Sequence, residues 1–232
     1  MTKHFVLAVS TSLAALAAHA GTLQVTVTGQ DGKPAADVVV LVEPAVKVAP
    51  KPLAAPIVIG QQNLRFTPFL TIVPVGSTLR FANQDSYDHH VRSTPSGPLG
   101  SMPAVKQFEM RLDAASPAPA APADEYQTSA APRKKTGTTW SDVKVDKPGP
   151  IGLGCHLHSS MRGQIYVSGT AWFAKTDDNG VATFDGVPDG AADVNLWHPD
   201  QLSEQTTLRL QVGPAPAKAG GRLNFSPRLK RS

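Results

Sequence analysis

Gly154-Cys155-His156-Leu157-His158-Ser159-Ser160-Met161 sets a thiol, an imidazole and a thioether at Cys-x-x-His-x-x-Met spacing. Strands are predicted on either side, over Pro150 to Leu153 and Gln164 to Val167, so the three side chains share one short loop that can aim them at one point. Thiolate, imidazole and thioether are soft donors, and copper is the first-row ion that uses two imidazoles and a thiolate with a weak axial thioether. Zinc accepts Cys and His but gains little from a thioether. The missing imidazole is expected from Asn83-Gln84-Asp85-Ser86-Tyr87-Asp88-His89-His90-Val91, at the end of another predicted strand. The candidate metal set is therefore His89, Cys155, His158 and Met161, holding one copper ion per chain, with His90 a competitor of His89.

Cys155 is the only cysteine. Lys3 and His4 precede an apolar run from Phe5 to Ala18, and Ala18-His19-Ala20 has the small-x-small pattern of a cleavage point, so residues 1–20 are expected to be a signal peptide. The run is too short to span a bilayer, and the mature chain is expected in the periplasm or secreted. A lone thiol in such an oxidising compartment is buried and inert, intermolecular, or committed to a metal. His158 and Met161 in register favour the metal. His156 alternates with Cys155 and should point away from it, Met102 and Met110 lie off the loop, and His198 before Pro199 reads as a turn or packing residue.

The elements that must position these residues are strands. Short runs rich in Val, Ile, Leu and Thr recur between turn residues, in a chain with 21 Pro and 19 Gly. Leu23, Val25 and Val27 alternate with Gln24, Thr26 and Thr28. With the turn Gln30-Asp31-Gly32-Lys33 and the apolar run Val38 to Val42, they read as a β-hairpin within residues 21–60, closed by the Pro/Ala-rich connector Ala45 to Pro56. Strands follow at Phe66 to Phe69, Leu70 to Pro74 and Ser77 to Asn83. Residues 114–139, with Ser116-Pro117-Ala118-Pro119-Ala120-Ala121-Pro122 and Arg133-Lys134-Lys135, read as a flexible surface insertion. In residues 169–213, Asp178-Asn179-Gly180 and Pro188-Asp189-Gly190 read as hairpin turns, with a last strand over Thr206 to Val212. Residues 214–232 read as a basic tail carrying Lys230-Arg231. The formal net charge is +4, and +3 once Lys3 leaves with the signal. That mild excess, without aromatic interleaving, gives no nucleic-acid site.

Residues 61–168 resemble a plastocyanin- or amicyanin-like cupredoxin. The likeness rests on Phe66-Thr67-Pro68, on Val73-Pro74-Val75-Gly76-Ser77-Thr78-Leu79-Arg80-Phe81-Ala82-Asn83, on a His six residues after that Asn, and on the Cys155, His158, Met161 loop followed by Gly163. Gly152-Leu153-Gly154-Cys155, Phe173-Ala174-Lys175-Thr176-Asp177 and Trp197-His198-Pro199 are similar to exported cupredoxin-containing proteins of the methylamine utilisation protein-like kind. The resemblance implies a Greek-key β-sandwich. Flanking strands in Thr22 to Glu43 and Thr170 to Val212 resemble a transthyretin- or carboxypeptidase-regulatory-like β-module; the alternative is extra strands decorating one sandwich. Two residues depart from the family pattern. Asp88 stands where Pro is common, and His90 stands where an Asn often ties the ligand loops together.

The resemblance further implies a type 1 copper site that relays single electrons between exported redox proteins. Cys155 would dominate electronic coupling, Met161 would tune the potential, and His158 would be the electron port in an apolar patch. A periplasmic copper carrier or store is the alternative. An enzyme is not expected, because the copper oxidases of this fold need further His-x-His pairs. Five His remain after residue 20, and only His156-x-His158 forms such a pair.

Overall fold

The structure is a computed structural model and describes residues 20–115 and 137–228. The expected signal segment lies outside the described residues but for Ala20, as do 116–136 of the expected insertion, Lys230 and Arg231. Among the described residues the chain forms strands and one short 3-10 turn, Pro98–Gly100. No helix there is long and apolar enough to cross a membrane. The protein is all-β.

The sandwich that carries the site is built from two facing sheets. One runs β4 (Arg65–Thr67), β3 (Ile57–Gln62), β6 (Thr78–Asn83), β9 (Trp140–Lys144) in spatial order. The other runs β5 (Leu70–Pro74), β11 (Arg162–Ser168), β10 (Gly149–Cys155), β7 (His89–Thr94), β8 (Glu109–Leu112). Side chains alternate across a pleat, and β6 shows it: Leu79, Phe81 and Asn83 are buried, while Thr78, Arg80 and Ala82 are half-buried. Ile59, Val91, Leu112, Ile151, Leu153 and Ile165 join Leu79 and Phe81 in one core. Cys155 and Met161 belong to that same core.

The chain before and after this sandwich makes a second pair of sheets. One is β13 (Val181–Pro188), β1 (Ala20–Thr28), β16 (Ala217–Arg222); the other is β12 (Trp172–Lys175), β2 (Val39–Pro44), β14 (Gly190–Trp197), β15 (Leu208–Val212). They enclose a separate core of Leu23, Val25, Val27, Val40, Val42, Val194 and neighbours. Strand β2 is buried on both faces. Val40 and Val42 point into this core, while Val39 and Leu41 pack with Leu70 and Trp197, against Tyr166, Phe173 and Met102, at the junction with the first sandwich. This explains the unbroken apolar run Val38 to Val42, since a strand covered on both sides loses its polar alternation. Chain exit and re-entry meet there: Trp172 pairs with Val42 across β12 and β2, and the Thr170 hydroxyl donates to the Val42 carbonyl at 2.5 Å.

Four features differ from the sequence expectation. Strands β1 and β2 are not a hairpin but lie in different sheets; β1 pairs with β13 and β16. The Gln30–Lys33 reversal carries the chain from one sheet to the other and is closed by a Thr28–Pro34 bridge. The turns at Asp177–Gly180 and Pro188–Gly190 do the same, linking β12 to β13 and β13 to β14 across the core. A tight turn sets a reversal but not whether the next strand pairs beside the first or opposite it. Strand β3 begins at Ile57, directly after the expected connector, where no strand was expected, and pairs parallel to β6. The expected tail holds a strand, β16, parallel to β1, followed by buried Leu223.

Candidate metal centre

Strands β7 and β10 are antiparallel neighbours, with Cys155 opposite Val91. Cys155 ends β10 pointing inward, and His89 opens β7 on the same side. Gly152 lets these strands approach: a Cβ there would stand 2.5 Å from the Pro95 carbonyl oxygen and 2.9 Å from that of Thr94. After Cys155 the loop turns back, with the Met161 N–H donating to the His158 carbonyl at 3.0 Å. The Arg162 guanidinium closes it by donating to the Ser159 and Met161 carbonyls at 2.6 and 2.9 Å.

Three of the four expected ligands converge. His89 Nδ1 lies 3.6 Å from Cys155 Sγ, His158 Nδ1 lies 3.5 Å from it, and the two nitrogens are 3.2 Å apart. A point in the plane of those atoms is about 2 Å from all three, the length of an imidazole or thiolate bond to a first-row divalent ion. His89 is wholly buried, Cys155 is 4% exposed and Met161 1%, while His158 is half-buried. Met161 shares the core with Cys155.

The competitor His90 does not join this set. Its ring stacks on His156, with centroids 5.4 Å apart, and its Nε2 meets Glu109 Oε1 at 2.5 Å. The His90 backbone holds the ligand elements together: its N–H donates to Cys155 Sγ at 3.4 Å, and its carbonyl accepts from the His156 N–H at 2.9 Å. His156 is exposed and points away from Cys155.

Residues to which the sequence reading gave no such role hold His89 in place. Buried Asn83 donates to the Tyr87 and Asp113 carbonyls, both at 2.8 Å, and accepts the Asp85 N–H at 2.9 Å, which ties the loop before β7. The Asp85 carboxylate accepts the N–H groups of Asn63 and Leu64 at 2.7 and 3.3 Å and meets His89 Nε2 at 2.9 Å. A carboxylate only accepts, so the ring proton sits on Nε2 and the Nδ1 lone pair faces Cys155 and His158. Burial lowers the His89 pKa against the opposing pull of Asp85. Burial alone would raise Asp85, but the hydrogen bonds from His89, Asn63 and Leu64 leave it below its ordinary value. Nothing in the sequence distinguishes a carboxylate four residues before a His from an ordinary loop acid. Tyr87 lays its ring edge-on to His89 and His158, with centroids at 5.4 and 5.3 Å. Asp88 instead accepts the Ala114 N–H at 3.0 Å.

Both the site strands and the sheets around them are now placed. The sandwich is cupredoxin-like. No family model matches the chain, and no curated protein matches it. Solved structures do. A mutant amicyanin in its reduced Cu(I) form at pH 4 is 16% identical with a TM-score of 0.32, the match covering 50% of this chain and 85% of that one. A purple cupredoxin from Nitrosopumilus maritimus is 18% identical with a TM-score of 0.33, covering 49% and 99%. A Cu-containing nitrite reductase from Thermus scotoductus SA-01 is 19% identical with a TM-score of 0.34, covering 53% of this chain but 27% of its own. What the site can do rests on the distances above.

Proposed function

We propose that the protein is an exported type 1 copper protein that carries single electrons between redox partners outside the cytoplasm. The carrying observation is the triangle of His89 Nδ1, Cys155 Sγ and His158 Nδ1, with sides of 3.2 to 3.6 Å. Its donor set fits copper, which His89, Cys155 and His158 would hold, and Met161, buried in the same core as Cys155, would offer a thioether. Bound copper supplies a one-electron couple. The chain does the rest. Asp85 and the β7–β10 ladder hold the His89 ring and the thiol in one arrangement, so the donor atoms move little between oxidation states. The N–H of His90 stabilises a thiolate at Cys155. Tyr87 and the core side chains keep water from His89.

His158 is the ligand nearest solvent, and Leu157 and Tyr87 are exposed apolar neighbours of it, at 39% and 37%. This edge is the electron port, and it suits a brief, small contact with a redox protein. Burial of the other three donors favours retention of the ion over delivery, so we place electron transfer ahead of a copper carrier or store. Catalysis is not part of the reading. The flanking sandwich is, in the same proposal, a transthyretin- or carboxypeptidase-regulatory-like β-module.

The test is visible absorption and EPR of the copper(II)-loaded mature chain, with Cys155→Ser alongside. An intense thiolate-to-copper band that the variant loses is the expected result. A colourless protein with ordinary tetragonal copper EPR, unchanged in the variant, sinks electron transfer and leaves a His-based copper carrier.

A further inference from the structure

Each buried ligand on the β7–β10 ladder has a neighbour in sequence that the pleat turns to the opposite face. His89 and Cys155 point in, so His90 and His156 point out. There they meet Glu109 at the start of β8. One ligating nitrogen or oxygen from each of His90, Glu109 and His156 lies within 4.8 Å of the other two. The positions are fixed by backbone: the His156 N–H donates to the His90 carbonyl at 2.9 Å, and β7 and β8 are paired from His89 to Arg92. The imidazole rings of His90 and His156 stack at an interplanar angle of 17°, and His90 Nε2 is 2.5 Å from Glu109 Oε1. His90 is sheltered, its side chain 14% exposed, while that of Glu109 is 60% exposed, so one edge of the cluster is open to water.

We propose that His90, Glu109 and His156 form a second, solvent-open site for a divalent metal ion of borderline softness, zinc or copper(II). Two imidazoles and one carboxylate are a donor set both ions accept, with the remaining position left to water. The set has no thiolate or thioether, so it does not share the preference of the buried ligands for a soft, redox-active ion. In the β7–β8 ladder Arg111 stands opposite His90 and Arg92 opposite Glu109. Their positive charge opposes a dication and makes the bound ion exchangeable. Without a metal the same residues make a direct His90–Glu109 contact beside the stacked His156 ring, and the experiment separates the two.

Zinc(II) is titrated calorimetrically into the mature chain loaded with one equivalent of copper, which the buried thiolate set takes first, and into Glu109→Gln and His156→Asn loaded alike. Both residues are exposed, and urea midpoints matching the parent chain confirm that the variants fold. The expected result is one zinc ion per chain, bound at least tenfold more weakly by each variant. Absence of saturable zinc binding, or equal binding by parent and variants, overturns the site and leaves the His90–Glu109 contact alone. The visible spectrum of the copper-loaded chain reports the buried set separately. If that band is missing, the comparison is repeated on the metal-free chains, where a difference of one zinc ion between parent and variants still upholds the site.

Discussion

At the scale of single residues, the proposed centre depends on a proton as much as on its donor atoms. His89 can present Nδ1 inward only because Nε2–H has an acceptor, and that acceptor, Asp85, is fixed by two backbone amides of the β3–β4 turn. Asn63 and Leu64 both have positive φ, 53° and 60°, the conformation of a two-residue primed hairpin turn, and this points both N–H groups the same way. Asp85→Ala frees the His89 ring and its tautomer. Copper affinity is expected to fall about 10- to 100-fold, measured by competition with a chelator, while the thiolate band of the loaded protein persists. Unchanged affinity would mean that burial alone orients His89. That Cys155 and His158 come together was legible because a thiol and an imidazole at this spacing in one short loop are rare by chance. Asp85 was not, because its role depends on where the β3–β4 turn folds in space.

At the scale of elements, β7 and β10 set the distance between the two ligand segments, and their closeness rests on Gly152. Ala at that position would push its Cβ against backbone oxygens of Thr94 and Pro95, which cannot rotate aside. Gly152→Ala is expected to destabilise the protein by about 1–3 kcal/mol, read as a lower urea midpoint, and to broaden the copper EPR as the ligand strands part. A variant with parental midpoint and spectrum would show that the ladder tolerates the shift. The strands themselves were readable from alternation and turn residues, as in β1 and β6. Their partners were not. Val25 pairs with Ala182 and Ala219, and such long-range pairing leaves no local signal. The same blindness hid β16, whose Ala-Lys-Ala-Gly-Gly-Arg sequence has weak strand propensity and is held by β1.

At the scale of the molecule, the two sandwiches share an apolar junction. Tyr166 on β11 packs on Trp197 of β14 with ring centroids 5.0 Å apart, and the Trp197 indole N–H donates to Met102 Sδ at 3.3 Å. Burial, followed by the charges of Glu43 and Glu204, pushes the Tyr166 hydroxyl from 10.0 up to about 12. A group raised in this way keeps its proton in the folded state after the unfolded chain has lost it. Its contribution is full below pH 10 and is lost as pH rises towards about 12. Stability against urea should therefore fall across that window, and Tyr166→Phe should flatten the fall. An alkaline limb as steep in the variant as in the parent would assign it to other groups.

The meeting of β2 and β12, where the chain leaves the outer sandwich and returns to it, also sets an order of events during synthesis. Every strand from β3 to β11 finds its partners between Ile57 and Ser168, so the sandwich that carries the candidate site is complete in one stretch of chain. The outer one must wait, since β1 and β2 have no sheet until β12 to β16 follow. During synthesis the half that carries His89, Cys155 and His158 can thus close before the half that contains β1 has formed. Pulsed hydrogen exchange during refolding would record protection of the β7 and β10 amides ahead of those of β1; the reverse order would mean that the outer sheets template the inner ones.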